Sequence, residues 1–145
     1  MKKTLSACLL AMACGTAFAQ ATPAGLWKTI DDETKVEKSL VRISDNGGVL
    51  SGKVEKILSD KPDAKCVECT DERKGQPVQG MTILRGIKPD ANEKGSWVGG
   101  DILDPNNGKI YKVLLKMADG GKKLDVRGYV GMPMLGRTQT WLRVE

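Results

Sequence analysis

An all-β fold is predicted for this chain: eight short antiparallel strands, wound as an up-and-down barrel or packed as a sandwich. Three observations carry the prediction. Turn signals recur at Asn46-Gly47-Gly48, Asn92-Glu93-Lys94-Gly95, Asn106-Asn107-Gly108 and Asp119-Gly120-Gly121, and these residue types tolerate the positive φ of tight hairpins. The runs between them are rich in Val, Ile, Thr and Trp and alternate with a period of two. Tyr111, Val113, Leu115 and Met117 stand against Lys112 and Lys116, and Leu124, Val126 and Val130 against Lys123, Asp125 and Arg127. Finally, no stretch of about ten residues beyond the N-terminus carries the helical period.

Residues 1–19 read as a secretory leader. Lys2 and Lys3 begin it, an apolar run follows from Leu5 to Ala13, and Ala17-Phe18-Ala19 offers small residues for cleavage after Ala19. The run is too short to span about 30 Å of hydrocarbon comfortably, so no transmembrane segment is expected in the mature chain. Cys8 and Cys14 raise a lipoprotein alternative, but neither combines the needed spacing and residue pattern. A periplasmic or secreted protein is expected, its single domain covering 20–145. Strands follow near 25–30, 36–43, 48–58, 80–88, 95–103, 109–117, 122–130 and 137–144. Closing them into a barrel would remove exposed strand edges. The break at about 59–78, with Pro62, Pro77, many charges and both remaining cysteines, reads as one long surface loop.

Composition excludes several chemistries. The 145 residues contain no histidine, so no Ser-His-Asp triad, Cys-His dyad or histidine zinc site can form, and a catalytic role is not expected. The formal charge of +5 falls to +3 once the leader's two lysines are removed. With no Lys/Arg run longer than two and only Trp27, Trp97, Trp141, Tyr111 and Tyr129 as mature aromatics, nucleic acid is not an expected partner.

Four segments carry a family resemblance. They are Gly25-Leu26-Trp27-Lys28-Thr29; Lys74-Gly75-Gln76-Pro77-Val78; Gly100-Asp101-Ile102-Leu103-Asp104-Pro105 with Gly108-Lys109-Ile110-Tyr111; and Val126-Arg127-Gly128-Tyr129 followed by Gly136-Arg137-Thr138-Gln139-Thr140-Trp141-Leu142-Arg143. Together they resemble the bacterial exported family called domain of unknown function 2147, across essentially the whole mature chain. The resemblance implies a lipocalin-like, or calycin-like, antiparallel barrel and brings no established activity. Gly25-Leu26-Trp27 is also similar to the Gly-x-Trp that opens lipocalin barrels. That similarity implies barrel closure by Trp27, with Arg143 of the last strand lying across its ring.

Cys66-Val67-Glu68-Cys69 is the sharpest short motif. In an oxidising compartment the two cysteines most simply form a disulfide that pins the loop; a redox pair or half a metal site is the alternative. Asp104-Pro105-Asn106-Asn107-Gly108 lacks a calcium loop's final glutamate and reads as a turn. The acids at Asp31-Asp32-Glu33 and Asp71-Glu72 read as solvated loop residues. Arg127 and Tyr129 share a face of one strand, in an Arg-x-Tyr resembling the carboxylate clamp of fatty-acid-binding proteins. Arg137 and Gln139 share a face of the next strand with Trp141 and Arg143. Which faces point inward is open. Met132-Pro133-Met134-Leu135 is expected to plug one barrel end, or else to offer a contact surface.

The leading expectation is a non-enzymatic exported barrel that needs no cofactor or metal. It would bind a small lipid-like, amphipathic or anionic ligand through Arg127, Tyr129, Arg137 and Gln139. The alternative is a ligand-free envelope module that recognises a protein partner through its loops.

Overall fold

The computed structural model describes residues 21–145; the leader predicted for 1–19 lies outside them. Eight strands form a closed antiparallel barrel in chain order: β1 (Gly25–Ile30), β2 (Glu37–Asn46), β3 (Val49–Ile57), β4 (Thr82–Pro89), β5 (Ser96–Leu103), β6 (Ile110–Ala118), β7 (Lys123–Tyr129) and β8 (Arg137–Arg143). The sandwich alternative is thereby set aside. Each strand lies where alternation and turn residues put it, with ends displaced by at most a few residues.

The side-chain period of two divides each strand between the interior and the outer wall. Inside stand Trp27, Val41, Leu50, Val54, Leu84, Ile87, Val113, Leu115, Leu124, Val126 and Trp141, all buried. Leu115 faces Val126 across β6 and β7, and Leu124 faces Trp141 across β7 and β8. An eight-stranded barrel leaves room for side chains or for one small ligand. Here two tryptophans and the aliphatic ring around them fill the floor.

The two ends differ. At the closed end Trp27 is wholly buried and its indole Nε1–H donates to the Pro23 carbonyl at 2.7 Å. The Arg143 guanidinium lies 4.3 Å from the centre of that ring. Its other contacts run to the carbonyls of Gly121, Ala24 and Thr22, at 2.7, 3.0 and 2.6 Å. One side chain thus ties the entry segment and the β6–β7 turn across the barrel floor. Gly25 has φ +141°, and a Cβ there would stand 2.5 Å from the Glu145 carbonyl and 2.6 Å from Arg143. Only glycine fits that conformation without strain.

At the open end the loops 31–36, 58–81, 104–109 and 130–136 surround the mouth. The longest folds back onto the wall. Leu84 pairs with Ile102 on the inner side, so Ile83 and Leu103 beside them point outward, yet both are buried. Cys66 and Cys69 join the same apolar cluster, with Ala64 and Val78 packed on it. The segment is therefore a cover over β4 and β5 and not simply a solvated loop. Gly108, at φ +70°, lets the β5–β6 turn lie against the Glu68 carbonyl of this cover.

Candidate functional site

Apart from Arg143 at the floor, the polar side chains on the inner face gather at the mouth. Thr29 and Ser39 are paired across β1 and β2, and their hydroxyl oxygens are 2.9 Å apart. Gln139 sits on the inner face of β8 and accepts the Trp141 indole N–H at 3.1 Å. Tyr111 pairs with Ile102 across β5 and β6, and its hydroxyl accepts the Asn107 amide at 3.3 Å. Above them Arg137 opens the β8 strand and crosses to the β1–β2 loop. Its guanidinium meets Asp32 at 3.1 and 2.8 Å and Glu33 at 3.1 Å. The Asp32 carboxylate, foremost, and then Glu33 raise the pKa of Arg137, so its charge is held firmly and already balanced. These groups make the open end of the inner face polar above an apolar floor, and this polar end is termed the cup.

Arg127 and Tyr129 share a face, and that face is the outside. Leu124 and Val126 are the buried alternates of β7, and Tyr129 stands opposite Lys112 on the outer wall. An inward anion clamp at Arg127 is therefore not what this geometry offers. The Arg127 guanidinium instead donates to the carbonyls of Pro133 at 2.5 Å and Met134 at 3.3 Å, and to the Thr138 hydroxyl at 2.7 Å. It makes no ion pair with Asp125, which accepts from the Thr140 hydroxyl at 2.7 Å. Those carbonyl bonds hold the β7–β8 turn on its own strands, and Met132, Met134 and Leu135 stand exposed. The expected plug is thus a protruding tip. Of the four residues expected to bind ligand, Arg137 and Gln139 reach the mouth, and Arg127 and Tyr129 do not.

Cys66 and Cys69 are joined to each other and buried, which leaves no thiolate for a metal. Among the described residues no three Cys, Asp or Glu side chains converge as metal ligands. Asp104 caps its own turn, its side chain accepting the Asn106 N–H at 2.9 Å. The cover carries Arg73, only 5% exposed. Its guanidinium grips Asp71 through Nε and Nη2 and donates to the Thr82 carbonyl at 2.9 Å. The Arg73 side chain first, and its backbone N–H next, lower the Asp71 pKa to about 2. A groove of about 370 Å³ between this cover and β4 lies outside the barrel wall. Asp71-x-Arg73 has a spacing any loop could show, and Thr29, Ser39 and Tyr111 are ordinary strand residues. Only the fold marks them.

Residues 25–143 match the model of a family described as an uncharacterized protein conserved in bacteria, DUF2147. The chain belongs to that family. A solved structure with the same fold is the protein HP1028 from the human pathogen Helicobacter pylori, described as belonging to the lipocalin family. The two superpose with a TM-score of 0.73 at 19% identity, over 86% of this chain and 84% of that one. No curated protein sequence matches the chain. For this family member, then, the lipocalin-like barrel is established by topology and by structural similarity. Among the described residues no helix is long and apolar enough to cross a membrane.

Proposed function

We propose that the protein is exported and serves as a non-enzymatic binding barrel that receives a small amphipathic ligand at its mouth. One observation supports this above others: the inward polar groups Thr29, Ser39, Tyr111 and Gln139 collect at the open end, above a floor filled by Trp27 and Trp141. A ligand would place hydroxyl or amide groups in the cup, where each uncharged hydrogen bond contributes about 0.5–1.5 kcal/mol. Its apolar part would rest on the rim, since the floor has no room for it. Asp32 and Glu33 already neutralise Arg137, so an uncharged or zwitterionic polar end suits the cup better than a bare anion. The fold shared with a lipocalin-family protein agrees with this reading.

The test is native mass spectrometry of protein taken from the periplasm, followed by titration with lysophospholipids and monoacylglycerols. A co-purifying lipid, with binding weakened by Gln139→Ala and Tyr111→Phe, is the expected result. A stoichiometric co-purifying protein would instead favour a ligand-free module that recognises a partner through its loops. The rigid fastening of the cover by Cys66–Cys69 and Arg73 agrees with that second reading.

A further inference from the structure

The β7–β8 turn is chemically unusual. Hairpin connections are normally polar, whereas between Gly131 and Gly136 this one carries only Met132, Pro133, Met134 and Leu135. Val130, Met132, Met134 and Leu135 are 69%, 52%, 73% and 73% exposed, and Ile110 beside them on β6 is 45% exposed. Contiguous exposed apolar side chains of this kind mark an interaction site. The tip is also held in shape. Arg127 fastens two of its carbonyls from below, and the Leu135 and Gly136 N–H groups bond to Met132 and Pro133 at 3.0 and 3.2 Å.

Charge says what kind of surface it meets. Lys112 pairs with Tyr129 on the outer wall next to the tip, and Lys109 immediately precedes Ile110. Both are exposed, and neither has an ion pair among the described residues. Two acids stand beside them, Asp101 across from Lys112 on β5 and Asp104 beside Lys109, but neither forms an ion pair with a lysine among the described residues, and Asp104 is turned into its own turn. Five apolar side chains are far short of the roughly 20–30 residues a side of a stable protein interface. An apolar tip beside free lysines is enough, however, for the boundary between headgroups and acyl chains, where apolar burial and attraction to anionic lipid add.

We propose that this tip docks the protein on an anionic phospholipid surface. Met132, Met134, Leu135, Val130 and Ile110 enter the interface, while Lys109 and Lys112 lie along the phosphates with their aliphatic stems on the apolar edge. The tip belongs to the open end, so a docked molecule turns its mouth toward the lipid. The inference goes beyond ligand binding in the cup and stands without it.

Flotation of the purified protein with two vesicle types tests this. One is phosphatidylcholine alone; the other contains phosphatidylglycerol as about one-third of its lipid, enough to set up a negative surface potential. Binding to the anionic vesicles only, weakening as salt rises, is expected. Met134→Asp with Leu135→Asp should abolish it at unchanged melting temperature, since both side chains are exposed. Lys109→Glu with Lys112→Glu should weaken it roughly tenfold or more. Met134→Trp should add an emission that shifts to the blue on anionic vesicles, over the emission of Trp27, Trp97 and Trp141 measured in the parent protein with the same vesicles. Absence of wild-type flotation, or flotation indifferent to the tip substitutions, would overturn the proposal. So would a dimer without lipid that the tip substitutions dissolve, because the surface would then serve a second copy. Each of these readouts is independent of any ligand in the mouth.

Discussion

Replacing Arg143 by alanine should be among the most damaging single changes at the closed end. The side chain lies on the Trp27 ring, 4.3 Å from its centre, a contact that contributes about 0.5–2 kcal/mol. It also donates to three carbonyls. Hydrogen bonds from a charged donor contribute about 1.5–3 kcal/mol each, but the bond to Thr22 is exposed and water replaces it readily. Water also reaches part of the other two once the side chain is gone. Taking the low end for the bonds to Gly121 and Ala24, partial water replacement and a mid-range ring contact, the expected loss is about 2–4 kcal/mol. For a domain of this size that lowers the melting temperature by roughly 10 °C. Urea denaturation followed by far-ultraviolet circular dichroism measures it, with an unchanged slope confirming a stability effect. Arg143→Lys keeps a cation over the ring but lacks the planar fork, and should lose about half as much. Hydrogen exchange at residues 22–26 should rise in the alanine variant. A loss below about 0.5 kcal/mol, within the range of an ordinary surface substitution, would refute the argument. The end would then be held by the Trp27–Pro23 bond, the backbone bonds between Leu26 and residues 144–145, and the backbone bond from Arg143 to Lys122.

Four further outcomes are expected. Arg127→Ala should destabilise by about 1–2 kcal/mol through loss of the tip's brace, the range of a lost side-chain hydrogen-bond set at an exposed site, and should leave binding in the cup unchanged; weakened ligand binding would restore a role at the mouth. Cys66→Ser with Cys69→Ser should make residues 59–78 more open to proteolysis while the barrel's β-signature persists, and a chain unable to fold would contradict this. Asp71 ionises more readily in the folded protein, about 2 against 3.8, so its contribution is present above pH 4 and fades as pH falls toward 2; Asp71→Asn should flatten the acid limb of a stability profile, and an unaltered limb would count against the Arg73 brace. N-terminal sequencing of periplasmic material should begin at Gln20 or Thr22, and a lipidated Cys14 in the membrane fraction would contradict that.

Much of this protein is written locally. Period-two alternation and Asn-Gly punctuation place all eight strands, because each depends on residues a few positions apart. Cys66 and Cys69 are close enough in the chain for their pairing to be read without a fold. The absence of histidine limits the chemistry whatever the structure. What alternation cannot say is which of two faces turns inward, since that depends on register with a neighbouring strand and on closure of the whole ring. Arg127 and Tyr129 therefore look like a clamp in sequence and stand outside in space, while Arg137 finds Asp32 across 105 residues. The tip is the plainest case. Its composition alone argues for burial, but a guanidinium bonded to the carbonyls of Pro133 and Met134 holds it out in water, and only the folded barrel brings those groups together.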